Sequence, residues 1–125
     1  MNDEKTFSKI INKLLNLTRS NEIIWEKQDP PSFLTDSDTK IESVYLTEYK
    51  ERKLRLYEEK YQTFDEPTMS WFWSKRPVLQ LVDKRNKTDW AFPYSRELKD
   101  LLEAAKYQSA NVSEFLDIFS IDNDK

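Results

Sequence analysis

The sequence predicts an α+β fold, an antiparallel meander of about five strands with N- and C-terminal helices packed on one face. Three observations carry this. Apolar residues recur at helical spacing near both ends of the 125-residue chain, at Phe7, Ile10, Ile11, Leu14 and Leu15 and again at Leu98, Leu101, Leu102 and Ala105. Between them, the stretch 43–63 alternates β-prone and charged residues on both sides of a charged turn, as a long hairpin does. The connections are short enough for successive strands to pair antiparallel. A chain of this length fits one domain, 1–125, with residues 1–3 and 121–125 expected to fray.

Taken in order, Asp3 to Arg19 reads as an amphipathic helix capped by Asn2 or Asp3. Ser20-Asn21 ends it, because Asn replaces glycine best in the left-handed position after a helix. Ile23 to Lys27 follows as a first strand with Ile23 and Trp25 on one face, and Asp29-Pro30-Pro31 stops it. Ser32 to Lys40 is a polar loop. Its Asp36, Ser37, Asp38 and Thr39 lack the spacing and closing Glu of a calcium loop, so no metal is expected there.

The hairpin of 43–63 leaves two registers open. A two-residue turn at Glu51-Arg52 pairs Tyr49 with Leu54 and Thr47 with Leu56, which puts tyrosines on the core face. A three-residue turn at Lys50–Arg52 pairs Leu46 with Leu56; Val44, Leu46, Leu54 and Leu56 then face the helices while Tyr45, Tyr57 and Tyr61 point away. The second is favoured, since it gives both strands a shared aliphatic face and the turn has no Gly or Asn.

After Phe64–Pro67 and the aromatic segment Thr68–Pro77, a second hairpin is expected, Val78–Val82 with Thr88–Phe92, turning at Asp83–Lys87 with Asn86 as its left-handed residue. Ser95 caps the next helix, with Glu97 in its first turn. Asn111 and Glu114 open a last helix in capping-box spacing, with Val112, Phe115, Leu116 and Phe119 as its buried face.

Composition excludes much chemistry. The chain has no Cys, His or Gly. Disulfides, thiolate or imidazole metal sites, Ser-His and Cys-His triads, phosphate loops and dinucleotide fingerprints are therefore ruled out. No cofactor is expected. Carboxylates are what remains for acid–base work, with Glu48, Glu58, Glu59 and Asp89 on strands; Lys50, Arg55 and Lys60 beside them make cross-strand ion pairing the plainer role. The protein is accordingly expected not to be an enzyme. The net charge is −3, but between Lys75 and Lys87 five bases (Lys75, Arg76, Lys84, Arg85, Lys87) stand against Asp83 alone. No apolar run approaches the ~20 residues of a membrane span, and the polar, acidic start is unlike a secretory signal. A cytoplasmic protein without a membrane partner is expected.

The run Leu14–Trp25, with Thr18, Asn21, Ile23 and Trp25 in T-x-x-N-x-I-x-W spacing, resembles the opening of small uncharacterised bacterial proteins that carry a helix, T-x-x-G-x-I-x-W and a β-meander. The segment Leu101–Phe119 is similar to their closing helices. Asn21 stands where many of them have glycine, which suits the same backbone role. The resemblance implies architecture, with no activity attached to it.

The remaining signal is for binding. Trp71, Phe72 and Trp73 are consecutive rings, so on an extended chain they cannot all enter one core. Either they form a lid over the open end of the sheet, or Trp71 and Trp73 with Lys75 and Arg76 form a partner surface of the kind that supplies interface hot spots. Tyr45, Tyr57 and Tyr61 offer a second such surface on the uncovered sheet face. The expected function is a non-catalytic interaction or regulatory module acting on a protein partner or on itself. The alternatives are an accessory or neutralising protein of a bacterial defence or toxin system and, next, a binder of single-stranded nucleic acid. That last role is opposed by the net negative charge and the lack of a recognised motif.

Overall fold

In the computed structural model, which describes residues 3–123, helix α1 (Asp3–Arg19) leads into strands β1 (Glu26–Gln28), β2 (Thr39–Lys40), β3 (Val44–Tyr49), β4 (Arg52–Asp65), β5 (Ser70–Val82) and β6 (Thr88–Ala91), then helices α2 (Arg96–Ser109) and α3 (Val112–Asn123). The expected Asn2 cap and, of the stretches expected to fray, residues 1–2 and 124–125 lie outside the described residues; Asp3 and residues 121–123 belong to α1 and α3 instead. The antiparallel sheet runs β1-β3-β4-β5-β6, with β2 alongside the distal part of β4. The α+β meander is thus present, and α1 and α2 cover one face. Ile11, Leu14 and Leu15 meet Leu98, Leu101 and Leu102 over Leu54, Leu56 and Leu79, while Phe7 packs on Trp90 and Phe92.

α1 ends where its sequence says. Asn21 takes φ 61°, and the N–H groups of Glu22 and Ile23 both donate to the Leu17 carbonyl. The first strand, however, starts at Glu26 rather than Ile23. The backbone before it is claimed by side chains: the Trp25 N–H donates to Gln108 Oε1, Gln108 Nε2 donates to the Ile23 carbonyl, and Thr47 Oγ1 donates to that of Ile24. Ile23 and Trp25 are both buried nonetheless.

The central hairpin adopts neither expected register. Tyr49 pairs with Arg52 and Tyr45 with Leu56 across a two-residue turn at Lys50-Glu51. Both turn residues have positive φ, 50° and 66°, as the tight primed turn requires. Leu54 and Leu56 do face the helices, but on β3 it is Tyr45 that joins them, while Val44 packs on the opposite side with Tyr57 and Ile41. That opposite face is not bare, because Leu34 and Ile41 from the 32–41 segment cover it. Burial on both faces holds the register in spite of turn residues that each cost about 1–2 kcal/mol in the left-handed region. Glu51→Gly is therefore expected to raise stability by about 1 kcal/mol, a gain readable in chemical denaturation; a loss would show that no strain resides at this turn.

β5 begins eight residues before the expected Val78. Pro77 sits inside the strand, opposite Glu58. It is tolerated because β6 pairs only with Gln80–Val82, so β5 at Pro77 is an edge and needs no outward N–H. β4 and β5 consequently pair over thirteen positions, from Lys53↔Val82 to Asp65↔Ser70, and run out past the helices as a two-stranded arm. The second hairpin turns as expected, with Asn86 at φ 66°.

α2 begins after Ser95 in extended conformation, although the Ser95 hydroxyl makes no capping bond. Asn111 opens α3 as expected, its carbonyl accepting from the Phe115 N–H, and with φ 54° it also closes α2. α3 thereby swings off the body. Phe115, Leu116 and Phe119, expected to be buried, are exposed, and Val112 is half-buried.

Candidate interaction surface

Cross-strand partners share a face and successive residues alternate, so the β4–β5 register assigns every arm side chain. Leu54↔Leu81 and Leu56↔Leu79 lie on the helix side, and stepping outward so do Lys60↔Lys75, Gln62↔Trp73 and Phe64↔Trp71. Lys40, opposite Lys60, joins them. Beyond the reach of α1 and α2, this face carries two Trp rings, one Phe and three lysines. Trp71 is 66 % exposed and Trp73 41 %. The expected lid is thus corrected: there is no core beneath the rings, because the ribbon carries them past it. Trp71 leans on Phe64 with ring centroids 5.1 Å apart, and Lys40 Nζ lies 4.6 Å from the Trp73 ring centroid. Phe72 and Met69 are exposed as well.

Of the expected partner residues, Trp71, Trp73 and Lys75 come together. Arg76 belongs to the other face, where its guanidinium binds Glu59 at 2.7 Å and covers the half-buried Tyr61 ring at 4.7 Å. Tyr45 and Tyr57 are 7 % and 2 % exposed, so neither offers a surface. Tyr45 lies under the helices, and Tyr57 under Ile41, Val44 and Leu34. Burial, with the Glu59 carboxylate adding to it, pushes the Tyr57 phenol up to about 12. Phe64, Lys60 and Lys40 were missed. Only the register connects them to Trp71 and Trp73, and Pro77 hides that register in the sequence.

The carboxylates considered for chemistry are dispersed. Glu58 and Glu59 point to opposite faces by strand alternation, Glu58 3.9 Å from Lys106 and Glu59 on Arg76. Asp89 pairs loosely with Arg52 at 3.8 Å, and Glu48 lies across from Lys53. Among the described residues no three His, Cys, Asp or Glu side chains group as metal ligands, and no helix is long and apolar enough to cross a membrane.

Two further features were not foreseen. A cleft of about 980 Å³ opens between the Ile24–Lys27 segment and the α2–α3 junction, with Trp25, Tyr107, Glu103 and Glu114 on its walls. The polar groups at its base are engaged in holding the fold, since Gln108 binds Trp25, Thr18 and Ile23. On the opposite sheet face Arg55 is 1 % exposed, and its three nitrogens donate to Gln80 Oε1, the Asn86 carbonyl and Thr88 Oγ1. Burial lowers its pKa.

No family model matches the chain, no curated protein matches its sequence, and no solved structure matches its fold.

Proposed function

We propose that this protein is a non-catalytic protein-interaction module whose binding surface is the helix-side face of the β4–β5 arm. The observation that carries the reading is the exposure of Phe64, Trp71 and Trp73 on a ribbon face that no helix covers among the described residues, next to Lys40, Lys60 and Lys75. Rings of this size contribute nothing to the core, and a two-stranded ribbon is only marginally stable alone. A bound partner offsets both costs. Trp is among the residues most enriched at interface hot spots, and the lysines stand around the rings as a polar rim does. Single-stranded nucleic acid is less well served, since Lys40 and Phe64 already occupy part of the Trp73 and Trp71 faces.

The test compares the native chain with Trp71→Ala/Trp73→Ala as affinity baits in extract from the source cells. The expected outcome is a protein retained by the native chain and depleted at least tenfold on the double variant, whose thermal midpoint stays within about 2 °C because both rings lie outside the core. Equal retention by the two baits, or none by either, overturns the reading.

A further inference from the structure

The arm and α3 share one deficiency and have opposite charge. α3 has only 12 residues, a length at which a helix is marginal in water without tertiary packing. Phe115, Leu116, Ile118 and Phe119 are 64, 47, 52 and 57 % exposed. They form one broad apolar side of the helix, bordered by Glu114, with Asp117 behind it; α3 contains no Lys or Arg. The arm face is also apolar and uncovered, but basic. Lys60 and Lys75 are direct cross-strand partners and Lys40 is the next strand's neighbour of Lys60. Like charges set directly opposite destabilise a sheet. The nearby acids do little to relieve this: Glu42, 3.4 Å from Lys60, has an 86 % exposed side chain, and such a pair is weak. Glu58 is turned to Lys106.

We propose that the occupant of the arm is α3 of a second copy of this chain, docked reciprocally so that each protomer's helix lies across the other's Phe64–Trp71–Trp73 face with Glu114, at the border of the apolar side, toward the lysines. This inference rests on the arm being a binding surface and names its partner. Reciprocal docking seats two helices at once, which brings the assembly toward the roughly 1,200–2,000 Å² that specific interfaces bury. It also removes from water, in one step, two apolar surfaces that the monomer leaves exposed.

A charge exchange tests it. The arm variant Lys60→Glu/Lys75→Glu and the helix variant Glu114→Lys each place like charges in both contacts of their own dimer, whereas a mixture of the two restores opposite charges in both. In sedimentation velocity at tens of micromolar, the native chain is expected at twice its 15.1 kDa mass. Each variant alone should be at least tenfold weaker in association, and the equimolar mixture should be dimeric again, with all circular dichroism spectra alike. A monomeric native chain, variants that associate as the native chain does, or a mixture no more associated than its components overturns the proposal. A photo-crosslinking residue at position 71, irradiated in extract, separates this failure from that of the broader reading. A crosslink to another copy supports the dimer; a crosslink to a different protein overturns it while leaving the arm a binding surface; no crosslink overturns both.

Discussion

Trp25→Ala is expected to remove about 3–5 kcal/mol of unfolding free energy, a large share of the 5–15 kcal/mol that a domain commands. Trp25 is 2 % exposed and lies in the main core with Ile23, Leu14 and Leu98. Its removal opens a cavity and also leaves a buried acceptor alone. Trp25 Nε1 donates to Thr18 Oγ1 at 2.9 Å, and Thr18 Oγ1 in turn donates to the Leu14 carbonyl at 2.8 Å. This chain of bonds joins the end of α1 to the segment that precedes β1, and Gln108 ties both to α2. Urea denaturation measures the loss. A cycle of Trp25→Phe and Thr18→Val isolates the polar part: each single change strands one partner at about 1–3 kcal/mol, and the double change is expected to cost less than the sum. A Trp25→Ala loss below 1 kcal/mol would show that the site collapses without a cavity and that the network contributes nothing.

The second large effect is expected at Arg55. Among the described residues no carboxylate pairs with this buried guanidinium; it is held by neutral acceptors, and Gln80 continues the chain by donating from Nε2 to Tyr57 Oη at 3.1 Å. Arg55→Ala is expected to cost about 3–5 kcal/mol, because it leaves Gln80 Oε1 buried without a donor and empties the space beneath Phe33, whose ring lies 5.5 Å from the guanidinium carbon. Thr88 is exposed and can turn to water, so it adds little. The triple variant Arg55→Met/Gln80→Leu/Tyr57→Phe replaces the whole buried chain by apolar groups of similar size. It is expected within about 1 kcal/mol of the native protein, as in other exchanges of buried charge for well-packed apolar side chains. Denaturation midpoints of the two variants decide the matter. If the triple variant is as damaged as Arg55→Ala, the cost lies in lost packing and not in stranded polar atoms.

Part of this arrangement is legible in the sequence. The apolar spacing from Phe7 to Leu15 and from Leu98 to Ala105 places both covering helices, and Asn21 and Asn86 mark left-handed positions without a glycine in the chain. Asn111 marks another, and serves both the end of α2 and the opening of α3. Lys50, Glu51 and Met69 take positive φ as well, and nothing in their side chains marks them for it. Trp71, Trp73 and Lys75 were legible as a cluster, being close in sequence. Phe64, Lys60 and Lys40 were not, because they reach it only across strands. The apolar stripe of α3 was seen and assigned to the core, since its spacing is the same whether or not a surface lies beneath it.

The ends of α1 and the stripe by which α2 binds the sheet are readable from neighbours within a few residues, whereas β2 falls inside the stretch expected to be a polar loop. Tertiary structure alone decided the hairpin register, the reach of the arm and the separation of α3. A register is chosen by which residues both faces can bury together, and here the 32–41 segment covers a face that the hairpin's own alternation leaves open. The arm exists because a proline at a sheet edge costs no hydrogen bond, and what counts as an edge is known only once β6 has paired. α3 stands apart because the chain takes a left-handed residue at Asn111 straight after α2, and the spacing of its apolar stripe carries no record of that turn.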